Sequence, residues 1–166
     1  LVLVDASTSD SSRQLIKKAS ESDTRIIYLS TENKGIGLNT NIGIRAARGE
    51  YIAFLDHDDT LDPDALAENV IAIKEHHPDL LYSDEDKITD HSLEYFEPHF
   101  KPDFSIALLR SVNYITHFVV VKKDIAVKAG YIESGFDGAQ DYNFLLNVVD
   151  MTDEIFHIPK ILYHWR

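Results

Sequence analysis

The sequence has no cysteine, a shortage of basic residues and no long apolar run. The absence of cysteine excludes a disulfide framework, a thiolate zinc site and a cysteine nucleophile. The chain carries 16 Lys and Arg against 28 Asp and Glu, a formal net charge of −12, which argues against a module that binds nucleic acid through a basic face. Apolar runs such as residues 118–121 are far shorter than the roughly 20 residues that a membrane-spanning helix needs.

The chain does have enough apolar content for a core. Its 166 residues are 44% hydrophobic, which suits one domain that buries a sizeable interior. Apolar runs typical of strands lie at residues 1–4, 25–29, 51–55, 80–82 and 117–121. Because the sequence opens directly on such a run, we expect residues 1–166 to be a single core unit of a longer protein.

Segments with helical periodicity alternate with these strands. The first two cover about residues 11–19 and 38–48, and the second stops at Gly49, a common helix terminator. A third begins near residue 62, and three of its apolar residues share one face: Leu66, Val70 and Ile73. Regular alternation of strand and helix predicts an α/β fold with a mainly parallel central sheet flanked by helices.

A cluster of carboxylates follows the third strand directly. Asp56, Asp58 and Asp59 stand where that strand ends, and α/β sheets bind their ligands at the carboxyl ends of strands. The turn can aim Asp56 and Asp58 at one point, where two carboxylates repel each other unless a cation neutralises them. Hard oxygen ligands suit Mn²⁺ or Mg²⁺. The pair predicts a divalent-cation site, and the alternative is a loop whose acids only cap the next helix.

The string at residues 54–61 fits two enzyme motifs. It resembles the DxDxT motif of haloacid-dehalogenase-type phosphatases, in which Asp56 would be the nucleophile and Asp58 the acid. It also resembles the DxD motif of nucleotide-sugar glycosyltransferases. The phosphatase motif normally follows the first strand of its domain, whereas at least two strand–helix units come first here. A third hypothesis is a non-catalytic sugar-binding module with the same fold.

Six segments in order resemble a known family. They lie at residues 4–10, 33–43, 47–59, 81–86, 135–143 and 161–166. The first departs from the family's VDDGSTD pattern at Ala6 and Ser7, whereas the third matches the approach to the DxD motif almost residue for residue. Along its whole length the chain resembles a family-2 inverting glycosyltransferase of the kind that builds bacterial surface polysaccharides.

The resemblance implies a Rossmann-like GT-A fold over residues 1–166, without the family's usual first strand–helix unit and C-terminal tail. It implies transfer of a sugar from a nucleoside-diphosphate sugar to a hydroxyl of a saccharide or lipid-linked saccharide, with inversion, in cell-surface polysaccharide synthesis. It also implies a Mn²⁺ or Mg²⁺ cofactor and a cytoplasmic location. Peripheral contact with the inner face of the cell membrane would come through segments outside this chain.

The resemblance also suggests roles for individual residues. It implies that Asp141 is the catalytic base, that Asp5 contacts the nucleotide base, and that Asp56 and Asp58 hold the cation, with Asp56 also facing the donor. Two acids spaced like a second DxD motif are predicted to bind the donor: Asp84 and Asp86. Two aromatic side chains are predicted to bind the acceptor: His117 and Trp165. On this hypothesis Asp56, Asp58 and Asp141 converge on one cleft.

Overall fold

A computed structural model describes residues 1–89, 94–136 and 138–166. In these ranges strands and helices follow one another in the order β1 (Val2–Asp5), α1 (Asp10–Ser22), β2 (Ile27–Ser30), α2 (Ile36–Ala46), β3 (Tyr51–Ala53), β4 (Thr60–Leu61), α3 (Ala65–His76), β5 (Leu80–Ile88), β6 (Tyr95–His99), α4 (Ile106–Leu109), β7 (Val119–Lys122), α5 (Lys123–Lys128), α6 (Gln140–Val149) and β8 (Ile155–Trp165).

The described strands form two sheets. β1 and β2 pair in parallel, and the larger sheet has the order β3-β7-β5-β8-β4, with β6 also paired to β5. Among the described pairs of the larger sheet, only β5 and β8 run parallel. β7 runs antiparallel to both of its neighbours, β3 and β5. The predicted α/β class is confirmed, and the sheet is mixed rather than mainly parallel. β7 is a short apolar run, and such a run has no sequence signal for its direction.

The centre of the larger sheet, at β5 and β7, is buried on both faces. Along β5, Leu80 and Tyr82 belong to one core cluster and Leu81 to the other, and Val120 of β7 faces the second cluster, opposite its neighbours. Since successive strand residues point to opposite faces, the near-continuous apolar runs of β5 and β7 fill two interiors at once. Helices α2, α5 and α6 contribute to the first interior, and α3 contributes to the second.

Helix α3 packs on β8 through small residues. Ala65, Asn69 and Ala72 are buried, whereas Leu66 is 63% exposed and Val70 is 47% exposed. The apolar periodicity predicted the helix correctly but not its buried face. Small side chains let the helix axis approach the sheet closely, which leaves the larger residues at its flank. Within the described residues, no helix combines the length and the apolar character needed to cross a bilayer.

A buried asparagine joins α2 to the loop that follows α5. The Nδ2 of Asn41 donates to the Ile132 carbonyl at 2.7 Å, and the Ile132 amide donates to Asn41 Oδ1 at 2.9 Å. Gly37, one turn earlier, lies so close that an added Cβ would come within 2.9 Å of the Ile132 side chain. Glycine at residue 37 therefore permits the approach, and the asparagine fixes it.

Candidate active site

The acid loop, residues 56–59, is held in place by the last strand. Asp59 is buried, and its two carboxylate oxygens accept hydrogen bonds from the Tyr163 hydroxyl and, at 2.8 Å, from the Arg166 amide. The Asp56 amide donates to the Tyr163 hydroxyl at 3.3 Å. Asp56 and Asp58 keep side chains that are 69% and 58% exposed. Of the three acids, Asp59 therefore anchors the loop, while Asp56 and Asp58 present oxygens to solvent.

The main cavity, about 310 Å³, lies between the acid loop and the start of α6. Asp56 lines it from the loop, Asp141 and Gln140 line it from the helix, and Thr116 and His117 line it from the segment before β7. The structure thus brings two of the predicted site residues, Asp56 and Asp141, to one cavity. Asp58 follows Asp56 on the loop but is not among the lining residues.

His117 lies between two carboxylates in the wall of the main cavity. Its Nε2 is 3.8 Å from Asp56 Oδ2, its Nδ1 is 3.3 Å from Glu85 Oε2, and its ring stacks on Tyr163 with centroids 4.6 Å apart. Burial lowers the His117 pKa, but the two carboxylates outweigh burial and raise the pKa to about 9. The same interaction with His117 lowers the pKa of Asp56. At neutral pH the wall therefore holds an imidazolium between two carboxylates.

A buried ion pair lies behind His117. The Lys101 side chain has no exposed surface, and its Nζ lies 3.3 Å from Glu85 Oε2 and 2.6 Å from the Ile115 carbonyl. Glu85 in turn accepts hydrogen bonds from the Thr116 hydroxyl at 3.0 Å and the His117 amide at 3.2 Å. Together Glu85 and Lys101 fix the backbone at residues 115–117, of which Thr116 and His117 line the main cavity.

The two charges of this pair respond differently to burial. Burial raises the Glu85 pKa, but His117 and Lys101 reverse that effect and bring it down to about 2. Burial also lowers the Lys101 pKa to about 8, because Glu85 only partly compensates for the lost solvation of the ammonium. The sequence interpretation identified neither residue. The only available signal was a glutamate within the Asp84-Glu85-Asp86 run on a strand.

Asp141 lies in the first turn of α6, where the helix dipole favours a negative charge. Its Oδ2 accepts a hydrogen bond from Asn113 Nδ2 at 3.2 Å. Among the described residues the buried Asn113 Oδ1 has no hydrogen-bond partner. Asn113 was also missed from the sequence, because nothing in its local pattern distinguishes it from a loop asparagine. Asp137 of the same predicted motif lies outside the described residues.

Three other predicted donor residues are occupied by protein partners. Asp5, at the end of β1, accepts from the Ser7 hydroxyl at 2.6 Å and the Tyr28 hydroxyl at 3.0 Å, and the Ser7 hydrogen bond lowers its pKa. Asp84 accepts from the Lys101 amide, and Asp86 pairs with an imidazole, that of His164, at 2.5 Å. Neither Asp84 nor Asp86 lines the main cavity.

Trp165, the predicted acceptor contact, lies at a second cavity of about 250 Å³, here called the Trp165 cavity. Glu85 and Asp86 also line it. Of the predicted acceptor residues, only His117 faces the main cavity.

One group of side chains in the described ranges has the spacing of a metal site. Asp56, Asp59 and His117 each place a ligand atom within 4.8 Å of the others. Asp56 belongs to the predicted cation pair. Asp59 replaces Asp58 in this group, although both of its oxygens already accept hydrogen bonds.

The family model described as "Glycosyl transferase family 2" matches residues 1–130, which contain the acid loop and the Glu85–Lys101 pair. The chain belongs to glycosyl transferase family 2. The family-2 resemblance of the sequence is confirmed. The phosphatase and the non-catalytic sugar-binding module gain no support from the match. Asp141 lies beyond the matched residues, so its role stays a prediction.

Two curated relatives are similar in sequence to this chain over all or nearly all of its length. The O-antigen biosynthesis protein RfbC of Myxococcus xanthus is 40% identical over 168 residues, which cover 100% of this chain and 13% of the relative. The chondroitin synthase of Escherichia coli is 29% identical over 168 residues, which cover 96% of this chain and 23% of the synthase. The chain therefore spans between about an eighth and a quarter of the length of these relatives.

Solved structures share the fold. The crystal structure of S. aureus TarS 1–349 in complex with UDP aligns with a TM-score of 0.80 at 19% identity, over 98% of this chain and 49% of that one. The complex of the same protein with UDP-GlcNAc aligns with a TM-score of 0.73 at 20% identity, over 98% and 48%. The GT-A fold predicted from the sequence is confirmed.

Proposed function

We propose that this chain is the catalytic core of a glycosyltransferase that moves a sugar from a nucleoside-diphosphate sugar to a hydroxyl acceptor with inversion. One observation carries the proposal, namely that Asp56 and Asp141 line the same cavity in a family-2 chain. The UDP and UDP-GlcNAc complexes of TarS support a nucleotide-sugar donor. The relatives named for O-antigen and chondroitin synthesis support an acceptor that belongs to a growing surface polysaccharide.

The residues of the acid loop suit a divalent cation. Asp56 and Asp58 present exposed carboxylate oxygens at the end of a strand, and such hard oxygen ligands are preferred by Mg²⁺ and Mn²⁺. We assign the cation to this pair, because Asp59 already anchors the loop. A bound cation would supply charge stabilisation for the departing diphosphate. The His117 imidazolium lies beside Asp56 and adds positive charge to the same wall.

Asp141 is the proposed base. The acceptor hydroxyl must lose a proton as it attacks, and a carboxylate within hydrogen-bond reach removes it. Asn113 holds Oδ2 of Asp141 and leaves Oδ1 to accept the hydroxyl proton. A base opposite the leaving diphosphate gives a single in-line displacement, and hence inversion at the anomeric carbon.

The remaining roles follow from where each side chain lies. Asp5 is proposed to meet the nucleotide base, since a carboxylate has lone pairs beyond those used by Ser7 and Tyr28. Asp84 is proposed to support the donor site through its buried partner Lys101, and Asp86 through its buried partner His164. His117 faces the acceptor from the cavity wall. A saccharide or lipid-linked acceptor, a cytoplasmic location and contact with the inner membrane face remain predictions from the family resemblance.

Binding of UDP tests the donor and cation assignments together. We expect calorimetry to show UDP binding that strengthens at least tenfold with Mn²⁺ or Mg²⁺ and loses that gain in Asp58→Asn. Asp64→Asn is the matched control, because Asp64 is an exposed acid just beyond the loop with no side-chain cap bond. Binding of UDP that is independent of the cation, or equal losses in both variants, would contradict the assignment.

Asn113 provides a second test of the site. Asn113→Ala removes the amide that orients Asp141, so we expect kcat to fall about tenfold while the KM for the donor changes little. Asn113→Asp should instead place a like charge beside Asp141. The acidic limb of the kcat–pH profile, where the base loses its proton, should then shift to higher pH. An unchanged profile in Asn113→Asp would show that the amide does not act through Asp141.

A further inference from the structure

The Trp165 cavity is not used by the chemistry described above. It lies where β5, β6 and the end of β8 meet, and six residues line it: Glu85, Asp86, Lys87, Glu97, His99 and Trp165. At about 250 Å³ it is smaller than the roughly 300–1,000 Å³ of pockets that enclose a drug-sized ligand. A cavity of this size suits one ring rather than an extended chain.

The walls of this cavity combine an aromatic surface with paired donors and acceptors. Trp165 is 49% exposed, and the Lys87 ammonium lies 5.2 Å from the centre of its ring. The same ammonium is 2.5 Å from Glu97 Oε2, and His99 Nδ1 is 3.4 Å from Glu85 Oε1. The ammonium and the carboxylate therefore form a donor–acceptor pair, with the ammonium over the indole ring.

A sugar ring matches this combination. Each hydroxyl of a vicinal diol both donates and accepts a hydrogen bond, so a carboxylate beside an ammonium can bind two neighbouring hydroxyls. The C–H bonds of a pyranose carry slight positive charge and fit against the electron-rich face of an aromatic ring. Behind the lining residues, Asp86 is held by His164 at 2.5 Å, and the His164 ring lies 4.6 Å from that of Tyr95.

The charge of the walls restricts which sugar can bind. Three of the six lining residues carry carboxylates, against one ammonium, that of Lys87. The chain as a whole has a formal net charge of −12, so the surrounding field is also negative. A uronate or a phosphate-bearing ring would meet this field unfavourably, whereas a neutral ring or an amino sugar would not.

The Trp165 cavity shares a wall with the main cavity. Glu85 lines the Trp165 cavity, and its carboxylate binds Thr116 and His117, which line the main cavity. A saccharide whose terminal ring lies beside Asp141 therefore has a neighbouring place for an earlier ring on the other side of Glu85.

We propose that the Trp165 cavity is an acceptor subsite that takes a neutral or amino-sugar ring of the growing saccharide and rejects acidic rings. The place of this ring in a reaction rests on the proposed glycosyl transfer. The binding site itself depends only on the residues that line the cavity.

The only tryptophan of the chain reports on this cavity directly. We expect the emission of Trp165 to change on titration with at least one of three neutral tetrasaccharides, built from glucose, galactose or N-acetylglucosamine. The tetrasaccharide of glucosamine should bind as well or better. The 6-carboxylated form of the glucose tetramer should bind at least tenfold more weakly than the neutral form.

Variants separate the cavity from the rest of the surface. Glu97→Gln should weaken the saccharide response about tenfold, the size expected for one lost hydrogen bond to a charged group. Glu94→Gln is the matched control, because Glu94 is an exposed acid next to the same strand and does not line the cavity. No response to any neutral or amino tetrasaccharide, equal losses in both variants, or equal affinity for the carboxylated form would overturn the proposal.

A parallel titration with UDP and Mn²⁺ keeps the two proposals apart. If UDP binds and no saccharide does, the acceptor subsite is wrong while the glycosyltransferase proposal stands. If saccharides bind at Trp165 and UDP does not bind at the acid loop, the cavity is a sugar site and the proposed transfer is wrong.

Discussion

Replacing Asp141 with asparagine is expected to lower the kcat of glycosyl transfer by about 10²–10⁴-fold, the usual contribution of a positioned general base. The asparagine keeps the size of the side chain and its place in the first turn of α6, but it cannot take up the hydroxyl proton. Because the hydrogen bond of Asp141 joins it to Asn113 rather than to the acid loop, binding of UDP should be unchanged. The measurement is UDP release in steady state, with calorimetry of UDP on the same variant.

Asp150→Asn is the matched control for this prediction. Asp150 is an exposed acid at the other end of α6, outside the main cavity. Its loss should leave kcat within about twofold of the original, as is usual for surface substitutions. Activity of Asp141→Asn within tenfold of the original would remove Asp141 as the base. Weaker UDP binding in that variant would point to a donor role instead.

Replacing Glu85 with glutamine is expected to lower the free energy of unfolding by about 3–5 kcal/mol, the usual cost of removing one partner from a buried ion pair. The Lys101 ammonium would stay fully buried beside the Ile115 and His117 carbonyls with no carboxylate. Denaturant unfolding followed by circular dichroism gives the value. Glu97→Gln breaks an exposed pair with Lys87 and should cost no more than about 1 kcal/mol.

Acid unfolding gives an independent readout of the same pair. The Glu85 pKa falls from an ordinary value of 4.5 to about 2 in the folded chain, so its ionised form is stabilised by folding. That stabilisation, about 3 kcal/mol, is complete above pH 4.5 and is lost as the pH falls toward 2. Glu85→Gln should therefore flatten the unfolding free energy between pH 4.5 and 2. An equally steep fall in the variant would assign the acid sensitivity to other carboxylates.

A double substitution shows whether Glu85→Gln destabilises the fold because it leaves the Lys101 ammonium buried without a carboxylate. Adding Lys101→Met to Glu85→Gln removes both charges, and the double variant should regain a large part of the lost stability. If the two substitutions simply add, Glu85 and Lys101 do not stabilise each other.

The sequence predicted those parts of the site that depend on local pattern. Strand–helix alternation placed the acids at the end of a strand, and the order of motifs pointed to Asp141 in the first turn of a helix. Among the three acids at residues 56–59, however, sequence alone could not separate the buried anchor from the exposed pair. That difference is set by Tyr163, which lies more than a hundred residues further along the chain.

The parts that the sequence could not predict depend on contacts with backbone. Lys101 binds carbonyl groups, and every residue has a carbonyl, so no residue type marks its partners. The buried face of α3 was missed for a different reason, because its closest packing on the sheet is made by the small Ala65 and Ala72 rather than by the larger Leu66. The antiparallel direction of β7 could not be predicted either, because a run of valines pairs equally well in both directions.

The dependence of the acid loop on Tyr163 also sets an order of events during protein synthesis. Asp59 leaves the ribosome 104 residues before Tyr163 and 107 residues before Arg166. At about 5–20 residues per second, the loop exists for roughly 5–20 s without the partners that shape it. The nascent chain can build its first strands and helices in that interval, but its paired carboxylates take their final geometry only when β8 joins the sheet.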